Sequence, residues 1–187
     1  MQPFIWLFGP KQPGLLTVQG PRYAALRWHA LHYASAVFEG IRIYQTVQGS
    51  RAIFRLRDHL ARFLRSAELL GVRPLGLTLE QLERACVEVA RRNPTATYLR
   101  PIAFRGEGLR VNPNDSPVRA AILAETWGAY LTPGRHNDGV KVMVSMRPLI
   151  NPKSLPSEAK SSARYAANQL AKAEALEQGY GEALMPS

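Results

Sequence analysis

HALHYASAVFEGIRIY, residues 29–44, gathers histidines, tyrosines, a Phe-Glu-Gly turn and an arginine into one short stretch. From Val37 onward apolar and polar residues nearly alternate, Val37, Ile41 and Ile43 against Glu39, Arg42 and Tyr44. A period of two suits a half-buried strand, and Gly40 marks a point of close backbone approach. Taken alone, the stretch reads as a polar-rich strand whose paired charges face solvent.

The flanking sequence gives this strand partners. Residues 4–8 (FIWLF) and 15–18 read as two strands of a hairpin-like opening, set off by Gly9-Pro10, Pro13-Gly14 and Gly20-Pro21. Residues 52–56, after Gly49-Ser50, are the expected antiparallel partner of the central strand. A strand pair feeding a helix is an α+β signature. Beyond it Leu56, Leu60, Phe63, Leu64, Ala67 and Leu70 recur at helical spacing, with Gly71 placed as a C-terminal cap. Arg62 lies roughly 135° from the centre of that apolar face at 100° per residue, so amphipathicity makes it a solvated arginine.

Thr78 and Gln81 spell a capping box that opens a second helix running to Asn93-Pro94, with Leu79, Leu82, Cys86, Val89 and Ala90 inward. Residues 98–104 and 118–123 read as strands joined through the turn-rich VNPNDSP. Residues 127–138 hold Gly128, Pro133, Gly134 and Asn137 and read as a connection. Residues 140–146 (VKVMVSM) alternate as a strand, and a helix is expected over 161–178, stopped by Gly179.

Composition bounds the function. The chain has 187 residues, 46% hydrophobic and 20% charged, which suits a globular fold with a real core. No run is long and apolar enough to span a bilayer, and MQPFIWLFGPKQPG has neither a basic leader nor a small-residue cleavage site, so a cytoplasmic protein is expected. The single cysteine, Cys86, rules out a disulfide framework or thiolate metal site within the chain and reads as an apolar filler. A net charge of +10 raises nucleic-acid binding, but the arginines never cluster in runs longer than a pair and no nucleic-acid-binding signature accompanies them.

The stretch 29–44 resembles the segment that opens the active site of branched-chain aminotransferases, fold-type-IV enzymes that use pyridoxal 5′-phosphate. FRLRDHLARFLRSAELLG (54–71), YLRPIAFRG (98–106), VNP (111–113), WGAYL (127–131) and Lys160 follow in the family's order and at nearly its spacing. The resemblance implies an α+β fold: a small domain over 1–126, with a mixed sheet and two helices, an interdomain loop over 127–138, and the opening of a larger cofactor-lysine domain over 139–187. The implied activity is transamination between branched-chain amino acids (Leu, Ile, Val) and 2-oxoglutarate, in a homodimer or higher homo-oligomer, with no nucleic-acid or membrane partner.

Site roles follow from the same resemblance. Lys160 would link covalently to the cofactor and move the proton between substrate Cα and cofactor C4′; a lysine does this when burial or a nearby cation keeps its amine neutral. Arg62 would hold the cofactor phosphate, whose dianion a guanidinium fork fits, and Tyr165 the phenolic oxygen. Phe38, Tyr98, Trp127, Tyr130 and Val111 would line an aliphatic pocket, with Val111 and Tyr33 reaching in from a neighbouring subunit. Arg100, with Tyr33 and Tyr130, would receive the distal carboxylate of glutamate, and Gly40 and Arg42 would shape the pocket.

Other readings stay open at this point. Tyr98 and Trp127 also fit plain core packing. Ser157-Glu158-Ala159-Lys160 spells the S-x-x-K signature of serine acyl-transfer enzymes, though its companion motifs S-D-N and K-T-G are absent. D-amino-acid aminotransferases and aminodeoxychorismate lyases share fold type IV, although FEGIR favours the branched-chain group. A non-catalytic remnant or assembly module is a further alternative. The loop RGEGLRVNP is one residue shorter than the family's usual form, with Leu109 for a common methionine and Arg110 for a usual glycine; Ala163-Arg164 replaces the usual Gly-Asn or Gly-Ala pair beside Tyr165. The glutamate that pairs with the pyridinium nitrogen has no counterpart before Ser187, so the chain is expected to be a truncated form, inactive in isolation.

Overall fold

The computed structural model describes residues 5–8, 14–16, 27–128 and 139–187. The opening hairpin forms as expected: β1 (Ile5–Phe8) pairs antiparallel with β2 (Gly14–Leu16). A short helix α1 (His29–Tyr33) precedes β3 (Ala36–Phe38) and β4 (Ile41–Gln45), so Glu39-Gly40 is the break between two strands. The expected partner follows as β5 (Arg51–Ile53), antiparallel to β4 in the register Ile43 to Ile53. Helices α2 (Leu56–Leu69) and α3 (Leu79–Arg92) come next, then β6 (Tyr98–Arg105) and β7 (Val118–Glu125). Beyond residue 138 lie β8 (Val142–Val144), α4 (Ser162–Glu177) and β9 (Glu182–Leu184).

The first seven strands make one sheet in the order β2-β1-β7-β6-β4-β5, with β3 also on β6. Pairing directions are divided between two sheets: every pairing in this large sheet is antiparallel, while β8 and β9 form a parallel pair of their own. The β8 strand is shorter than the alternation over 140–146 suggested, because only three of its residues meet β9.

Alternation gives the large sheet two unlike faces. Val37, Ile41, Ile43, Leu99, Ala103, Ala120, Ile122 and Ala124 pack against Leu60, Phe63 and Ala67 of α2 and Leu82, Cys86 and Val89 of α3. Full burial of side chains such as Phe63 or Leu82 contributes roughly 1.5 to 3 kcal/mol each. Cys86 sits here as an apolar filler, and burial pushes its thiol up to about 12. The opposite face carries Phe38, Arg42, Tyr98 and Arg100, neighbours through the registers Phe38 to Ile102 and Arg42 to Tyr98.

Both helices end as their sequences indicate. The Thr78 hydroxyl accepts the Gln81 N–H at 3.2 Å while the Gln81 side chain takes the Thr78 N–H at 2.8 Å, the reciprocal box at the start of α3. Gly71 lies just past α2 with φ +67°, a conformation that favours glycine.

Arg105, buried at the end of β6, donates to the carbonyls of Gly71 (2.5 Å), Ser116 (3.1 Å) and Pro113. Burial lowers its pKa, and no carboxylate partner offsets this among the described residues. The guanidinium therefore clamps the end of α2 to the 106–117 loop. Arg105→Met should lower stability by about 1 to 3 kcal/mol, since three carbonyls lose their donor. Urea denaturation measures this, and an unchanged midpoint would show that the loop holds without the clamp.

Candidate active site

Lys160 is held from two sides. The Phe38 N–H donates to its carbonyl at 3.1 Å, its own N–H donates to Ser66 Oγ of α2 at 3.1 Å, and Ser161 bridges to Val37. Small, buried Ala159 and Ser161 let this extended segment lie flat between β3 and α2. The side chain emerges beside the sheet face opposite the core, with Nζ 2.6 Å from Tyr165 Oη and 5.1 Å from the ring centres of Phe38 and Tyr165. Tyr165 reaches it from the first turn of α4.

Phe38 links this amine to a second charged group. Its ring lies 5.0 Å from that of Tyr165, and the Arg100 guanidinium carbon stands 5.1 Å from its centre. Arg100 is also 5.1 Å from the Trp127 ring and 5.4 Å from the Tyr98 ring, and it donates to Tyr98 Oη at 3.0 and 3.2 Å. Among the described residues it has no carboxylate partner, so it is a cation caged by aromatic faces. Tyr98 and Trp127 stack at 4.3 Å and 12°, and Thr97 Oγ1 fixes Trp127 by accepting its N–H at 2.9 Å and donating to its carbonyl at 2.7 Å. Gly40 is required by the same packing, because a Cβ there would lie 2.5 Å from Tyr98 Oη. Arg42 closes the rim by donating to the Gly128 carbonyl at 3.2 Å.

Glu39, between Phe38 and Gly40, faces the other way and is 0% exposed. Its Oε1 takes Arg62 Nε–H at 2.5 Å; its Oε2 takes Arg62 Nη2–H at 2.8 Å and lies 3.0 Å from His59 Nδ1. Burial by itself raises the carboxyl's pKa, but the bonds and charge from Arg62 and His59 outweigh it and hold the group below the ordinary carboxylate range. Arg62 is raised in turn, chiefly by its bond to Glu39.

The structure thus brings Lys160, Tyr165, Phe38, Gly40, Arg42, Tyr98, Arg100 and Trp127 together on one face, with Arg62 reaching its edge. Tyr33 and Val111 lie apart from that group but near each other: Tyr33 Oη donates to the Leu109 carbonyl at 2.8 Å, and His29 Nε2 is 3.3 Å from the Val111 carbonyl. Val111 is 72% exposed. Tyr130 and most of the 127–138 connection lie outside the described residues. Arg164, the large cation next to Tyr165, donates to the Leu155 carbonyl at 3.1 Å and so is tied to the preceding turn.

Sequence reasoning missed Glu39, His59 and Ser66. Grouping by polarity put Glu39 toward solvent with Arg42 and Tyr44, although its parity is that of Val37, Ile41 and Ile43; the structure buries it on their side, where α2 brings two donors over it. One signal was present: His59, Arg62 and Ser66 are spaced as one helical stripe, distinct from the apolar face.

The class IV amino-transferase profile matches residues 36–187, a span that includes Phe38, Arg62, Arg100 and Lys160. The chain belongs to the class IV amino-transferases. Branched-chain-amino-acid aminotransferase of Salmonella typhimurium is 37% identical over 159 residues, covering 83% of this chain and 51% of that protein; the Escherichia coli K12 enzyme gives the same figures. The chain therefore spans about half the length of the curated relatives it matches. Among solved structures, the Escherichia coli branched-chain enzyme superposes with a TM-score of 0.88 at 32% identity, over 99% of this chain and 60% of that one. The branched-chain enzyme of Thermoproteus uzoniensis, crystallised with norvaline, gives 0.84 at 31% identity, over 97% and 59%.

The residues present suit a phosphorylated pyridoxal. An amine and a phenol meet at 2.6 Å, Arg62 has an Nη1 with no acceptor among the described residues, and the buried Ser161 Oγ next to Lys160 has no hydrogen-bond partner among them. No cluster of metal-ligating side chains occurs among the described residues.

Proposed function

We propose that this chain carries one half of a pyridoxal 5′-phosphate site for transamination of branched-chain amino acids, with 2-oxoglutarate as amino acceptor. The observation that supports it most is the placement of Lys160 Nζ against Tyr165 Oη, beside an aromatic wall that holds the Arg100 guanidinium. Solved branched-chain relatives were crystallised with pyridoxamine 5′-phosphate, an N-(5′-phosphopyridoxyl)-L-glutamate adduct and 4-methylvaleric acid, a set that matches a phosphate, a glutamate and a branched aliphatic chain.

When bound, the cofactor supplies an electron sink for negative charge at the substrate's Cα. Lys160 Nζ is the base that takes the proton from that carbon and returns it to the cofactor's C4′. Tyr165 Oη, bonded to Nζ, steadies the amine and offers a donor to the cofactor's phenolic oxygen. Arg62 holds the phosphate. Phe38, Tyr98 and Trp127 exclude water from an aliphatic side chain, while Arg100 pairs with the distal carboxylate of glutamate, so one pocket serves both partners. The resemblance assigns Tyr130 to the same substrate, and Gly40 and Arg42 set the depth of the wall.

In this reading residues 1–126 are a small domain, 127–138 a connection and 139–187 the start of a second domain. Tyr33 and Val111 serve the site of a second copy in a homodimer, and the enzyme works in the cytoplasm on free metabolites. The 187 residues tested alone should bind the cofactor weakly and not turn over, since they span about half the length of the curated relatives they match. Incubating the chain with pyridoxal 5′-phosphate, trapping with borohydride and mapping the modified peptides tests this. Lys160 should carry most of the label, with no conversion of leucine and 2-oxoglutarate. Equal labelling of Lys153 and Lys172 would overturn the assignment, and steady turnover would overturn the half-site.

A further inference from the structure

We propose that Glu39 is a positioning residue that registers the phosphate-binding arginine, Arg62, against the cofactor lysine, Lys160, and that His59 locks it in place. This rests on the functional reading above for the identity of the phosphate ligand.

The geometry is that of an outer partner holding a recognition group. Glu39 occupies the side edge of the Arg62 guanidinium through Nε and Nη2, at 2.5 and 2.8 Å. A fork bound along one edge cannot rotate, so Nη1 and the outer Nη2–H are presented to the opposite side. That side is open, since the Arg62 side chain is 51% exposed while Glu39 is sealed. A lone exposed arginine would spread over many rotamers; this one is confined.

The carboxylate is itself confined. Oε2 receives His59 Nδ1 at 3.0 Å and the Gly40 N–H at 3.3 Å besides Arg62, and with Glu39 ionised Nδ1 must be the donor. The Glu39 N–H is fixed to the Pro101 carbonyl at 2.9 Å, and the preceding N–H, of Phe38, binds the Lys160 carbonyl at 3.1 Å. Phe38-Glu39-Gly40 is thus a short rigid bridge between the guanidinium and the backbone of the lysine. It sets the separation between a phosphate site and an amine, which a phosphate ester of an aldehyde must match at both ends. A charge buried only to stabilise the fold would be a poor choice, since such pairs often give no net stability over apolar residues.

The test compares pyridoxal 5′-phosphate with pyridoxal, which has the aldehyde but no phosphate, as ligands of the purified chain, with binding measured by visible absorbance and ultrafiltration. Wild type should prefer the phosphate ester at least about tenfold. Outer partners that orient metal ligands are worth about tenfold or more in affinity, and the same order is expected for a carboxylate that orients a phosphate-binding arginine. Glu39→Gln should therefore cut that preference about tenfold and leave pyridoxal affinity within about twofold. If Glu39→Gln does not unfold cooperatively, His59→Ala, which keeps the fork but frees one edge of the carboxylate, gives the reading: a preference reduced about threefold supports the proposal. A preference kept in folded Glu39→Gln or His59→Ala, or an equal loss for both ligands, assigns Glu39 to the fold alone and overturns the proposal. A wild-type chain that does not distinguish the two ligands instead overturns the phosphate role of Arg62, and the role of Glu39 with it.

Discussion

Arg100→Ala, made in a form extended to the length of the family's other members, is expected to abolish most use of glutamate and 2-oxoglutarate while leaving leucine largely intact. Arg100 stands within 5.1 to 5.4 Å of the ring centres of Phe38, Trp127 and Tyr98, and donates only to the Tyr98 hydroxyl among the described residues. Removing the guanidinium leaves a distal carboxylate unpaired against aromatic faces, at a cost of roughly 2 to 5 kcal/mol. An aliphatic side chain makes no such demand and loses only some packing. Steady-state kinetics with leucine and with glutamate as amino donors separates the outcomes. Equal losses in kcat/KM for both would make Arg100 a structural cation that keeps the Tyr98–Trp127 stack in place.

Gly40→Ala is expected to destabilise the chain by roughly 1 to 3 kcal/mol, the usual range for forcing extra volume into packed surroundings. Its new methyl group would meet Tyr98 Oη at 2.5 Å and two ring carbons at 3.1 Å. A free tyrosine would swing away, but this ring is stacked on Trp127 and bonded to Arg100, so the clash disturbs the pocket wall as a unit. Chemical denaturation gives the stability change, and near-ultraviolet circular dichroism reports the Tyr98–Trp127 pair. The double variant Gly40→Ala with Tyr98→Phe removes the closest contact and should recover part of the loss. No recovery would mean that the strain lies in the backbone between β3 and β4.

The local elements were legible in the residues themselves. Helical spacing located α2 and α3, the Thr78 and Gln81 box fixed where α3 begins, and alternation identified the central strands. These are local properties: a hydroxyl and an amide three residues apart, or apolar side chains at a period of two, act before distant chain arrives. Lys160, Arg62 and Arg100 were singled out only through blocks of resemblance, because a lysine or arginine among small or apolar neighbours carries no local mark that sets it apart from a surface charge.

The fate of charge was settled by packing. Glu39 shares the parity of Val37, Ile41 and Ile43, so a period of two puts it on the buried side although its charge suggests solvent; it is sealed because α2 lays His59 and Arg62 over it and the 159–161 segment closes beside them. Arg62 sits off the apolar face as its angle requires, and it is half-exposed and bound at once. Burial of an ionised group depends on donors that lie some twenty residues away in sequence and converge only when helix and sheet dock. The period of two says which side of a strand a residue takes; what waits on that side is set by packing.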